Sequence, residues 1–376
     1  MPVRIVHTAD NHIGLPFKQY PDEVRQKLVE ERFEALQRLI ETANDRQADF
    51  FVVAGDLFDS MRVSVRDIKR TAEILRGFAG EAVVVLPGNH DHFAGPETEV
   101  WKRFRDAIEG AGNVDLLATA EVKSYEVAGQ PVHFFPCPCP SKTGRDPTIG
   151  WVAAAAKEHP VGLRVGIAHG NVTGLGLDAE GQYFTMDPAA LEAAGVTIWL
   201  LGHIHVPFPA VEQGERSPIF MAGTHTPESL RCRHGGSAWW IECDADRVTR
   251  YERLAPGRMR FVRLERELVS MDDIAALVRD CEAIDTRSTV LDLQLSGRLS
   301  AAERETLDAA VDEMRRRFLA ISEERDLRRR IDAAQVDACY RTGGLAHRLL
   351  TTLLADEEHP DASTLAHELI EEVARP

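Results

Sequence analysis

The sequence predicts a layered α/β (α+β) protein with a smaller α+β domain at its C-terminal end. Three observations carry that reading. Over the first two-thirds of the chain, apolar runs closed by glycine or proline alternate with stretches of helical periodicity. Five of those runs end in clusters of carboxylate, amide or imidazole side chains, and α/β folds place their chemistry at the carboxyl ends of strands. After about Arg260 lysine disappears, arginine continues and helical periodicity dominates, which places a domain boundary near residues 255–265. The division expected is residues 1–260 and 261–376.

Taken in order, residues 3–10 read as a strand ending in Asp10-Asn-His12, a spacing that puts carboxylate and imidazole on one face of an extended segment. Residues 22–46 carry a helical stripe (Val24, Leu28, Phe33, Leu36, Leu39, Ile40). Asp49 to Asp56 is a second buried strand with a glycine turn before its carboxylate, and Asp59 follows. Residues 64–79 form a second helix with Ser64 as its N-cap. Ala82 to Leu86 is a third strand, turned by Pro87-Gly88 onto Asn89, His90, Asp91 and His92.

Residues 97–110 are helical and 121–136 form a hairpin turning at Ala128-Gly129. Cys137 to Ser141 reads as a surface loop and 148–158 as a short helix. Leu163 to Gly170 is a strand ending on His169. Thr197 to His205 is another, ending on His203 and His205. Residues 206–254 read as β-hairpins. Beyond Arg260, Thr289–Leu295 is a clear strand, Leu299 to Leu319 a charged helix and Phe318–Ser322 a partner strand. Leu345–Leu354 and Ser363–Val373 are closing helices.

Bulk properties narrow the function classes. No apolar run approaches the ~20 residues that span a bilayer. The six cysteines (Cys137, Cys139, Cys232, Cys243, Cys281, Cys339) have no zinc-knuckle spacing and read as reduced, buried thiols of a cytoplasmic protein. The formal net charge of -16 argues against a free-standing DNA binder that grips the backbone with a basic face. It leaves room for a phosphate substrate attracted by bound cations.

The donors at the five strand ends are oxygens and imidazoles without thiolates, a set suited to manganese, iron or zinc. Two ions ~3.5–4 Å apart need a bridging ligand, a task a carboxylate performs. As a set, Asp10-x-His12, Gly55-Asp56, Gly88-Asn-His-Asp91, His169 and Gly202-His-x-His205 resemble the signature of the calcineurin-like metallophosphoesterases. The resemblance implies a four-layer β-sandwich flanked by helices, with a dinuclear metal centre at the strand ends. It implies one ion on Asp10, His12, Asp56 and His205. The other would lie on Asp56, Asn89, His169 and His203. His90 would protonate the leaving oxygen, with Asp91 either orienting that imidazole or capping the turn.

Gly55-Asp-Leu-Phe-Asp59, the helix after Asp10-Asn-His-Ile-Gly14, and the domain after residue 260 resemble the SbcD-type DNA repair exonucleases. That resemblance implies a manganese-dependent nuclease acting on DNA ends, with a capping C-terminal domain and an SMC-like coiled-coil ATPase as partner. It also implies a homodimer, for which the helices at 64–79 and 97–110 are candidates. The segment Val336–Val373 could supply a partner-binding helix pair. Asp59 and His225 are expected just outside the ligand set, and His234 at the surface or beside it. Two other readings stand beside this one. The first is a small-molecule phosphodiesterase, favoured by the acidic charge; the second is a scaffolding component of an ATPase complex.

Overall fold

A computed structural model of the chain describes residues 2–176, 178, 180–209, 218–356, 359 and 362–374. The chain divides into two compact units, Met1–Arg260 and Phe261–Pro376.

In the first unit, β1 (Val3–Thr8), α1 (Asp22–Asp45), β2 (Phe50–Ala54), α2 (Val65–Arg76), β3 (Ala82–Leu86), α3 (Glu99–Ile108) and β4 (Val114–Leu116) follow one another. The four strands pair in parallel in that same order. Next come β5 (Lys123–Val127), β6 (Gln130–Cys137), α4 (Val152–Glu158), β7 (Leu163–His169), α5 (Pro188–Ala193), β8 (Ile198–Gly202) and β9 (Ile219–Met221). They make a second sheet of order β5-β6-β7-β8-β9, parallel from β6 onward. The hairpin β10 (Ala238–Cys243) and β11 (Val248–Leu254) then closes the first sheet, with β10 antiparallel to β1.

The apolar runs are continuous because both faces of these strands are covered. In β2, Phe50, Val52 and Ala54 face the second sheet and meet a core that includes Phe134, Val165 and Leu200. Phe51 and Val53 face the other way, into a core with Phe33, Leu36 and Ile40 of α1 and Trp101 and Phe104 of α3. A third core joins the outer face of the second sheet to α4 and α5 through Trp199, Leu201, Val152 and Leu191. The result is helix, sheet, sheet, helix: four layers. Each fully buried Phe, Val or Leu contributes roughly 1.5–3 kcal/mol of transfer free energy. Ser64 caps α2 as the sequence suggested, its Oγ accepting from the Asp67 N–H at 3.1 Å.

The second unit holds β12 (Arg260–Leu268), α6 (Met271–Glu282), β13 (Thr289–Leu299), α7 (Ala301–Arg317) and β14 (Ala320–Arg329), with strand order β12-β13-β14. β13 and β14 are parallel, joined by α7, and α6 and α7 bury Leu277, Leu307 and Val311 against Leu291 and Leu293. Three helices follow: α8 (Ala333–Cys339), α9 (Leu345–Leu354) and α10 (Ala362–Ala374). They share a small core of Val336, Leu350 and Ile370.

Three expectations change. β9 pairs in parallel with β8, so the only hairpin of the 206–254 stretch among the described residues is β10–β11; residues 210–217 of that stretch lie outside them. Cys137 and Cys139 are fully buried rather than on a surface loop, because the chain there threads under the Pro87–Asn89 turn. Cys339 alone of the six thiols is exposed. β12 and α6 went unread. One face of β12 is covered, and its period-two signal is broken because Arg266 shares that face with Val262, Leu264 and Leu268 and pairs with Asp280.

Candidate metal centre

The five donor clusters meet at one end of the sandwich. β1, β2 and β3 are neighbours, so the loops after them sit side by side, and β7 and β8 bring theirs from the facing sheet. The chain must turn sharply at each strand end. Asp10, His12, Asp56 and His203 all adopt positive φ (52°, 42°, 52° and 99°). Such conformations cost about 1–3 kcal/mol each for non-glycine residues and cluster where function requires them. The loops are laced together: Asp10 N–H donates to the Gly55 carbonyl at 3.1 Å and His12 N–H to the Asp56 carbonyl at 2.9 Å. Glycines permit the approach. A β-carbon on Gly55 would lie 2.1 Å from His169 Nδ1, and one on Gly88 2.2 Å from Asp56 Oδ1.

Two half-sites share Asp56. In the first, His205 Nε2 lies 3.5 Å from Asp10 Oδ1 and 3.3 Å from His12 Nε2, and the latter is 3.7 Å from Asp56 Oδ2. In the second, His169 Nε2 lies 3.2 Å from Asp56 Oδ2 and 3.0 Å from Asn89 Oδ1, which is also 3.0 Å from His203 Nδ1. The backbone N–H of His203 donates to both Asp10 oxygens, and that of His90 donates to Asp56 Oδ1 at 2.8 Å. All seven sequence-assigned ligands therefore converge.

Burial should discourage charge here, yet the groups compensate one another. Burial disfavours the Asp56 carboxylate, but His169 and His12 hold it well below the usual carboxylate range. Burial disfavours the His169 imidazolium, but Asp56 lifts it to about 9. Asp10 and Glu228 likewise raise His205 against its burial. His203 goes the other way, pushed down to about 4 by burial and by His169. Protons on imidazoles thus balance buried carboxylates at 3–4 Å. Cations bound there would do the same work while accepting lone pairs from all seven donors, so the donor set fits two divalent ions.

His90 sits beside this set, with its ring 4.8 Å from that of His12. Its Nδ1 donates to the Asp59 carbonyl at 2.8 Å. Asp91 does not orient it. The Asp91 oxygens accept the Gly88 and Phe58 N–H groups at 2.7 and 3.0 Å, making it a fully buried cap on the Pro-Gly turn. Burial and the neighbouring Asp56 push its carboxyl up to about 8. Asp59 backs a ligand: its Oδ1 is 3.4 Å from His12 Nδ1. His225 is buried and donates to the Arg32 carbonyl at 2.8 Å, one contact further from the ligands than expected. His234 Nε2 donates to the His205 carbonyl at 2.8 Å.

Sequence reading missed three side chains. Glu228 accepts from His205 Nδ1 at 2.7 Å, and the buried Arg32 reaches Glu228 at 3.4 Å. Tyr183 lies over His203, ring centroids 5.0 Å apart. The only signal for Glu228 was its place one residue after the Ala222–Pro227 turn. An open cleft of about 520 Å³ borders the centre, lined by His12, His90, His205 and Glu228 on one side and by the loop Leu15–Gln19, with Lys18, on the other.

Comparison with known proteins agrees with this geometry. The model of the calcineurin-like phosphoesterase family matches residues 3–207. An uncharacterized metallophosphoesterase, YhaO, of Bacillus subtilis is 28% identical over 53% of this chain and 48% of its own. A DNA double-strand break repair protein Mre11 of Methanosarcina acetivorans is 38% identical over 24% of this chain and 14% of its own. A component of the nuclease SbcCD of Escherichia coli is 35% identical over 24% of this chain and 22% of its own. In each case the match spans less than half of the relative's length.

Proposed function

Since this chain belongs to the calcineurin-like phosphoesterase family, we propose that it hydrolyses phosphodiester bonds with two divalent cations, manganese being the expected metal, and that its substrate is DNA, attacked from ends. The observation that carries this reading is the convergence of six donors around a shared carboxylate, Asp56. The choice of DNA is supported by the relatives named as a DNA double-strand break repair protein and as part of a nuclease.

Asp10, His12, Asp56 and His205 would hold one cation, and Asp56, Asn89, His169 and His203 the other. When bound, the pair would acidify a water for attack near neutral pH and neutralise the phosphate oxygens that repel it. Asp56 keeps one oxygen for the ligand set and the other for the His90 N–H, so bridge and acid are set by one side chain. With Nδ1 engaged by the Asp59 carbonyl, the His90 ring presents Nε2 to substrate. The imidazolium form gives its Nε2 proton to the departing alkoxide as the P–O bond breaks, worth ~10²–10⁴-fold.

The second unit is assigned to cap the DNA. A coiled-coil ATPase of the SMC-like class is the proposed partner, supported by the Escherichia coli relative being one component of a larger nuclease. Leu345, Leu349, Leu365 and Leu369 of α9 and α10 are exposed and offer it an apolar surface. Self-association gains no support from α2 and α3, whose apolar faces lie in the core.

With manganese, the purified protein should degrade linear DNA. His90→Ala should lower the rate by ~10²-fold or more at unchanged metal content. A variant as fast as wild type removes His90 from the mechanism. The net charge of -16 favours a second reading, a small phosphodiester substrate. Faster turnover of a cyclic nucleotide than of linear DNA would establish it.

A further inference from the structure

The two half-sites are supported differently. In the second, His169 Nδ1 donates to a main-chain carbonyl, that of Ala54, at 2.9 Å, and strand geometry alone aims the ring. In the first, His205 stands on a loop after β8, and its Nδ1–H donates to Glu228 Oε1 at 2.7 Å. That contact fixes the tautomer that leaves the Nε2 lone pair facing Asp10 and His12. A carboxylate behind a ligating imidazole also makes that nitrogen a stronger donor.

Glu228 is itself held. Its other oxygen faces Arg32 Nη2 at 3.4 Å, and Arg32 is 1% exposed. The same guanidinium donates through Nε to the His12 carbonyl at 3.1 Å and through Nη1 to the Thr226 carbonyl at 3.4 Å. One buried cation on α1 thus ties the main chain of one ligand, His12, to the carboxylate behind another, His205. A guanidinium is suited to this because its donors leave in fixed, divergent directions. A buried arginine also needs a carboxylate partner nearby, and among the described residues Glu228 is the one within ion-pair distance.

We propose that Glu228, clamped by Arg32, is the positioning residue of the Asp10/His12/His205 half-site and sets the affinity of that half-site alone. The inference rests on the two-cation reading above and adds to it that the two ions are separable by one outer carboxylate.

The test is a manganese titration of metal-stripped protein, followed by calorimetry and by the electron paramagnetic resonance of the coupled pair. Wild type should take up two equivalents. Glu228→Gln should keep one at wild-type affinity and bind the other ~10–100-fold more weakly. At one equivalent of manganese the resonance should then be that of an isolated ion. Glu228→Asp keeps the charge facing Arg32 but withdraws the oxygen from His205. It should show the same split while melting close to wild type, which separates positioning from folding. Two unaltered affinities in Glu228→Asp would overturn the proposal, as would equal weakening of both ions. Failure of wild type to bind two equivalents would instead refute the two-cation reading itself.

Discussion

The half-site on His169 and the half-site on His205 hold similar donors by different means. The His169 side chain is fully buried, and its outer nitrogen is fixed by a strand carbonyl. The His205 side chain is 30% exposed and depends on a carboxylate 23 residues away. A ligand built into a sheet is positioned by the same hydrogen bonds and packing that fold the domain. A ligand on a loop needs its own outer support, and that support can be tuned without disturbing the core. The contrast makes His169 the rigid ligand and His205 the adjustable one.

The largest effect should come from the rigid side. Gly55→Ala puts a methyl group against the His169 ring at φ 88°. We expect a loss of roughly 3 kcal/mol or more in denaturant unfolding, with the second cation lost and the first retained. Loss of both ions equally would break the distinction between the half-sites.

The next test is pH. In metal-free protein, Asp56 raises His169 from an ordinary 6.5 to about 9. A raised imidazole adds stability that is complete below its unfolded value and lost as pH rises through its folded value. Stability should therefore fall on the order of 3 kcal/mol between pH 6.5 and 9. Much of that slope should vanish in His169→Gln; a slope as steep as that of wild type would mean that Asp56 does not hold this proton. The smallest effect should be on the cleft. Lys18 is exposed on its rim, and Lys18→Ala should raise KM a few-fold, about 1 kcal/mol, with kcat unchanged. A fall in kcat would place Lys18 closer to the reacting atoms.

The legibility of these parts in the sequence follows the same line. The strands that carry the ligands were readable because both their faces are apolar and each is short, whereas the three-residue β4 was not. The ligands were readable because they occur immediately after those strands. β12 was not, since Arg266 stands on its covered face among Val262, Leu264 and Leu268 and breaks the alternation. Asp91 was read two ways, and only the positions of the Gly88 and Phe58 N–H groups decided for the turn cap. Cys139 looked like loop and is core, because its surroundings come from Pro87 and His169 rather than from its neighbours in the chain.

The sequence by itself determined the donor types, their order and the strands that present them. Hydrophobic runs and the residues that end them are written locally, and a pair of divalent cations restricts which side chains can serve. Tertiary structure alone decided what stands behind the ligands. Arg32 and Glu228 are 196 positions apart, and although Arg32 stands on the buried stripe of α1 between Leu28 and Leu36, nothing local in the sequence names its partner. Their pairing exists only because α1 packs on the first sheet while the turn after β9 comes back beside the ends of β1 and β8.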